Sequence, residues 1–165
     1  MRKIIESAID DLCTAFERQG YNPTPIIDIG VLVVSADGTV DDREREMLLD
    51  VFQTLLDTTL TAEVVDALVT ASLEVIEAAG AESRARLVAS ILRDCEAVEP
   101  GVRVALGIAY ASHGLNKDER VVVERIASAG GLDAKRLAEL IEEVGKHADA
   151  DPVSVRQSIA PARNG

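Results

Sequence analysis

Between residues 33 and 46 the chain reads VVSADGTVDDRERE, so an apolar run gives way at Asp37-Gly38 to a stretch carrying Asp41, Asp42, Glu44 and Glu46. Carboxylates this dense can do two things: start a helix or hold a hard cation. Helix initiation accounts for part of the set, because Asp41-x-x-Glu44 is a capping box in which each side chain offers an acceptor to amides that have no partner inside the helix. Asp42, Glu44 and Glu46 would also gain about 0.3–1 kcal/mol each from the positive end of the helix dipole. Asp37 fits that account less well, since a carboxylate beside the end of the preceding helix meets the negative end of its dipole. A cation or a basic residue between Asp37 and the acids across the turn would explain it, and oxygen ligands of this kind suit Ca²⁺ or Mg²⁺ rather than a transition metal. The stretch is not an EF-hand, whose loop needs oxygens at its first, third and fifth positions before an invariant glycine; here Gly38 directly follows Asp37.

The elements that must position these acids are helical. Ile4, Ile5, Ala8, Ile9, Leu12 and Phe16 lie on one face of a first helix, ended by Gly20-Tyr21-Asn22-Pro23. A second runs from about Pro25 to Ala36, although its Ile and Val content alone would suit a strand. The third covers about 42–56, with Met47, Leu48, Val51, Phe52 and Leu55 inward. Thr61 caps a fourth to about Ala79, closed by Gly80. The fifth, 82–97, carries Leu87, Ile91 and Leu92, and Pro100 sits where a sixth begins that continues to about Ser112. The seventh spans about 117–129 before Gly130-Gly131, and Asp133 caps an eighth to about His147. The expected fold is therefore all-α: one domain of about eight helices over residues 1–149, followed by a flexible tail over 150–165.

A weak repeat with an offset of 75 residues relates the halves of this domain. Ala36 falls on Ala111, Val40 on Leu115, Glu44 on Glu119, Met47-Leu48 on Val122-Val123 and Val51 on Ile126. Asn116-x-x-Glu119 repeats the capping box. An internal pseudo-twofold axis is expected, and the loops 37–41 and 112–116 would lie near it.

The element ADGTVDDRERE, followed by apolar residues at helical spacing, resembles the Ala-Asp-Gly…Glu signature of the TerB family, the tellurite-resistance-associated helical domain similar to the N-terminal part of the DjlA co-chaperone. AYASHGLNKDERVVVERIASAGGLD resembles the family's second copy, and the likeness spans roughly residues 25–147. It implies an all-α module that binds metal through acids beside these loops and acts with membrane-associated stress or defence complexes. By position the family's acidic pair corresponds to Asp37 and Glu44; in the second half Glu119 matches, but Ser112 stands where the family has Asp, with His113 beside it. That departure favours a single, lopsided cation site or a metal-free interaction surface over a paired site. The candidate ligands for a divalent cation are Asp37, Asp41, Glu44, Glu119 and His113.

Composition narrows the partners. The net charge of −12 repels phosphate backbones, and four aromatic residues leave little for base stacking, so nucleic acid is set aside in favour of cations or basic protein surfaces. Pro25–Ala36 is the strongest apolar stretch, yet it contains Asp28 and falls short of the ~20 residues that span a bilayer. A cytoplasmic protein with no membrane insertion is expected, working beside a protein partner. Cys13 and Cys95 sit in amphipathic stretches, as buried small hydrophobes do. His147 suits the negative end of the eighth helix. No zinc spacing, phosphate loop, serine elbow or Glu-x-x-His pair supplies a nucleophile or base with a partner, so no catalysis is expected. The alternative to a cation-binding scaffold is a metal-free acidic adaptor that docks a basic protein.

Overall fold

The structure, a computed structural model, describes residues 1–57 and 60–150. Eight helices follow one another, with no strand among the described residues: α1 (Arg2–Arg18), α2 (Thr24–Val34), α3 (Asp42–Leu55), α4 (Ala62–Ala79), α5 (Ala81–Asp94), α6 (Val98–Ser112), α7 (Lys117–Ala129) and α8 (Ala134–Ala150). The expected tail from residue 150 onward lies outside the described residues, except for Ala150 at the end of α8.

α2 organises the fold. Every residue from Pro25 to Val34 is buried, and the helix touches α3, α4, α5, α6 and α7. A helix apolar on all sides belongs in a protein interior, which is why a strand-like composition ends as a helix here: the surrounding helices bury every face, and tertiary packing overrides the modest propensity of Ile and Val. α6 is its counterpart, burying Val102, Val104, Ala105, Leu106, Ile108 and Ala109. A glycine in each central helix lets a side chain of a neighbouring helix press on its backbone, Phe52 of α3 at Gly30 and Ile5 of α1 at Gly107. A Cβ on Gly30 would come within 2.5 Å of Phe52 Cζ, and one on Gly107 within 2.5 Å of Ile5 Cγ1.

Packing between the halves is partly reciprocal. α1 lies on α6 and α5 on α2; α4 lies on α2 and α8 on α6. The exchange is incomplete, for α5 packs extensively on α7 while α1 and α3 make no comparable contact.

Helix ends follow their signals where those are local. Thr61 accepts from the Val64 amide at the start of α4, and Asp133 accepts from Lys135 and Arg136 at the start of α8. The junction of α5 and α6 differs from expectation. α5 stops at Asp94 and α6 starts at Val98, with Pro100 inside its first turn. Glu96 makes the corner at φ +53, a left-handed conformation that few non-glycine residues adopt. Leu87, expected inward, is instead 48% exposed, whereas Leu92 is fully buried. Cys13 and Cys95 are free thiols, half-buried and buried, with burial the first cause raising each thiol's pKa.

Candidate functional site

Two helix starts frame the acidic loops. At α3, Asp41 Oδ1 accepts from the Glu44 amide at 2.8 Å and Glu44 Oε2 accepts from the Asp41 amide at 3.0 Å. At α7, Asn116 and Glu119 repeat the arrangement at 2.9 and 3.0 Å. Both capping boxes are therefore closed, and each satisfies two amides that would otherwise lack an acceptor.

Asp37 also has a local partner. Its Oδ1 accepts from the Thr39 amide at 3.0 Å and from Thr39 Oγ1 at 3.2 Å, the turn in which an aspartate bonds the backbone two residues on. Gly38, at φ +93, carries the chain through the corner. Among the described residues, Asp37 Oδ2, Asp41 Oδ2 and Glu44 Oε1 accept no protein hydrogen bond. Asp37, Asp41, Asp42, Glu44 and Glu46 likewise form no ion pair; Arg45, in their midst, turns away to Asp66 of α4.

The second box differs in burial. Glu119 is only 4% exposed, while Glu44 is half-buried and Asp37 and Asp41 are exposed. Burial pushes the Glu119 carboxyl above the usual carboxylate range; the Asn116 amide and the Ser112 hydroxyl pull back, the nearby Glu44 charge adds to the push, and His113 opposes it. The charge of Glu44 thus reaches across from the first capping box to Glu119, and His113 acts on Glu119 in the opposite sense. Among the described residues no hydrogen bond or ion pair ties Asp37 or Asp41 to the second loop, and no group of three or more His, Cys, Asp or Glu side chains converges as a metal cage.

Ser112, where the repeat places an acid's counterpart, contributes to the Glu119 environment. Its Oγ lies 2.9 Å from the Ala109 carbonyl and 3.1 Å from Glu119 Oε1. One hydroxyl proton can serve only one of these acceptors. Shared between two acceptors, the Ser112 hydroxyl only partly offsets the burial of the carboxylate, so the folded state favours the protonated acid more than the unfolded chain does. Because the folded pKa lies above the unfolded one, this stabilisation is complete below the unfolded pKa and is lost as pH rises through the folded value. Glu119→Gln keeps a neutral acceptor for the Asn116 amide. With EDTA present, the thermal midpoint of the native chain should fall relative to that of Glu119→Gln as pH rises from about 4 to 7. Parallel melting curves for the two proteins across that range would show that the proton has no such role.

A second polar cluster escaped the sequence reading. Asp28, in the middle of α2, is 8% exposed; its Oδ1 accepts from Ser72 of α4 at 2.6 Å and its Oδ2 from Arg84 of α5 at 2.8 Å. Arg84 Nε is buried without a hydrogen-bond partner among the described residues. The only local hint was one acid inside an otherwise apolar decapeptide. Asp28 and Arg84 stand 56 positions apart, and nothing in either neighbourhood announces the other. The cluster ties α2, α4 and α5 together.

No helix among the described residues is long and apolar enough to cross a membrane. A family model described as tellurite resistance protein TerB matches residues 25–142, from α2 into α8 and including both capping boxes. No curated protein and no solved structure matches the chain.

Proposed function

The chain belongs to the TerB family, and from that premise we propose that it is a non-enzymatic binding and scaffold module whose acidic loop face takes a divalent cation. The module would serve a cytoplasmic stress or defence complex, in contact with a membrane-associated protein partner. What supports this reading is that the two capping boxes end in glutamates, one of them buried, and that the charge of Glu44 makes Glu119 still harder to ionise. A cation between them would remove both the repulsion and the reluctance of Glu119 to ionise. One or two carboxylates with water completing the shell is a usual arrangement for Mg²⁺. The uncommitted oxygens of Asp37, Asp41 and Glu44 could supply outer contacts, with His113 at the margin.

Titration calorimetry with Mg²⁺, Ca²⁺, Mn²⁺ and Zn²⁺ tests the cation. The native chain should give a saturable heat for Mg²⁺ or Ca²⁺, and Asp37→Asn/Glu44→Gln should abolish it. Heat that is absent, or indifferent to those substitutions, removes the metal from the proposal.

The lack of a converging three-ligand group among the described residues supports a second reading, a metal-free surface. The five acids of residues 37–46 that form no ion pair then dock a basic protein directly. Affinity for that partner would fall steeply with salt and ignore EDTA, whereas a cation-bridged complex would respond to the chelator.

A further inference from the structure

α8 is fastened to the body along one side of α6. Glu99, Arg103, Leu106 and Tyr110 follow one another on α6 at four-, three- and four-residue spacing, so they share that side. Glu99 takes Arg136 of α8 in a two-pronged pair, Nε to Oε1 at 2.7 Å and Nη2 to Oε2 at 3.0 Å, and Arg103 Nη2 reaches Glu143 Oε2 at 3.7 Å. Farther along, Gly145 lies against Tyr110: a Cβ there would come within 2.9 Å of the hydroxyl. The buried residues of α8 are Leu137, Leu140 and Val144. α4, which packs on α2 as α8 packs on α6, is pinned by Ser72 within the buried Asp28 cluster. The side chains that pin α8 instead keep 25–47% of their surface in water, where salt screens them. Past Glu143 no hydrogen bond or ion pair joins α8 to another helix among the described residues, and Gly145 weakens the helix interior there. The chain enters α8 through two unlike glycines. Gly130 is wedged on Val98, whose Cγ1 would stand 2.7 Å from an added Cβ, whereas Gly131, at φ +84, has nothing within 4 Å of one. A fixed point followed by a free one can serve as a hinge.

Tyr110 stands on the last turn of α6, two residues before Ser112, whose hydroxyl meets Glu119. We propose that α8 is a charge-held latch on the second acidic loop: it opens as a unit about Gly131, and in opening it frees Tyr110, so that the last turn of α6 and residues 112–116 open with it. In the closed state the amides of His113 and Gly114 are bonded to the Ala109 carbonyl, and that of Asn116 to Glu119 Oε2. Release of Tyr110 takes away the packing against which that turn is closed. Openings of this kind lie below the free energy of global unfolding and are drawn from elements with few buried contacts. A ligand that needs the second loop ordered then favours the closed latch, and whatever draws α8 away weakens binding at the loop by the same factor. The latch governs the order of the loop, so it stands whether or not that loop holds a cation.

Hydrogen exchange of the full chain, followed amide by amide by NMR with EDTA present, tests the latch. Raising NaCl from about 0.1 M to about 1 M shortens the Debye length from about 10 Å to about 3 Å. Exchange of the α8 amides and of His113, Gly114 and Asn116 should rise together, at least threefold, while the buried stretches of α2 and α4 hold their rates. Glu99→Gln, which takes the charge from the acceptor of Arg136, should raise both groups at low salt and blunt the response to NaCl. Arg86→Gln, which breaks an exposed pair within α5, should move neither. The salt comparison needs no substitution, so it decides the matter even where a variant is unstable. α8 amides that exchange only as slowly as those of α2 would overturn the proposal. So would α8 opening while His113, Gly114 and Asn116 stay protected, or an equal rise in every helix. With EDTA present throughout, a chain that gives no heat with Mg²⁺ can still show the latch, and one that binds Mg²⁺ can still lack it.

Discussion

Asp28→Leu destabilises the chain by about 2–3 kcal/mol, short of the ~3–5 kcal/mol typical when one partner of a fully buried pair is removed. Its Arg84 partner keeps a quarter of its side chain in contact with water, which softens the loss. For a domain of this size that is a drop of roughly 5–10 °C in thermal midpoint. The cost arises because the guanidinium, whose Nε already lacks a partner, loses its carboxylate while remaining between α2, α4 and α5. An apolar replacement of both partners leaves no such charge, so Asp28→Leu/Arg84→Met should recover most of the stability. Urea unfolding of the native chain, both single variants and the double variant measures the coupling. A double variant as unstable as the sum of the singles would mean that the pair does not act as a unit.

Gly30→Ala is the second large effect, and its sign is opposite to what helix propensity alone suggests. In an exposed helix the change would stabilise by about 0.5–1 kcal/mol. In α2 the new methyl would stand 2.5 Å from Phe52 Cζ and 3.0 Å from both Phe52 Cε2 and Ile108 Cδ1. Phe52 is a fully buried ring with no open space to swing into, so overpacking of about 1–3 kcal/mol opposes the propensity gain and leaves a net loss of roughly 1–2 kcal/mol. Phe52→Leu makes room, so combining it with Gly30→Ala should cost less than the two separate losses added together. Thermal or urea melts of the four proteins give the answer, and a stabilised Gly30→Ala would show that the ring yields freely.

What could be read from the chain alone was whatever is written locally. Asn116 and Glu119 announce the start of α7 and Gly130-Gly131 its end; Thr61 and Gly80 do the same for α4. The corner after α5 could not be found this way, since Glu96 adopts its left-handed backbone for the sake of the fold and carries no sequence mark. Helical spacing with Ile91 predicts Leu87 as core, but spacing defines a face without saying whether anything lies against it. Of the candidate site, the two capping boxes are legible in Asp41-x-x-Glu44 and Asn116-x-x-Glu119, whereas the burial of Glu119 but not of Glu44 is not. The Asx turn that occupies Asp37 was not anticipated, although Asp-Gly-Thr contains the donor it uses. The Asp28–Arg84 pair joins distant segments, and a single sequence holds no record of such a meeting.

The burial of α2 has a consequence for how the chain is made. Its main partner, α6, leaves the ribosome roughly 65 residues after it, a delay of about 3–13 s at 5–20 residues per second. Throughout that interval a ten-residue apolar segment has only α1, α3, α4 and α5 for shelter, and α1 itself awaits α6. The segment most fully hidden from water in the finished protein thus spends that interval without its main cover, a stretch to which a chaperone on the nascent chain would bind.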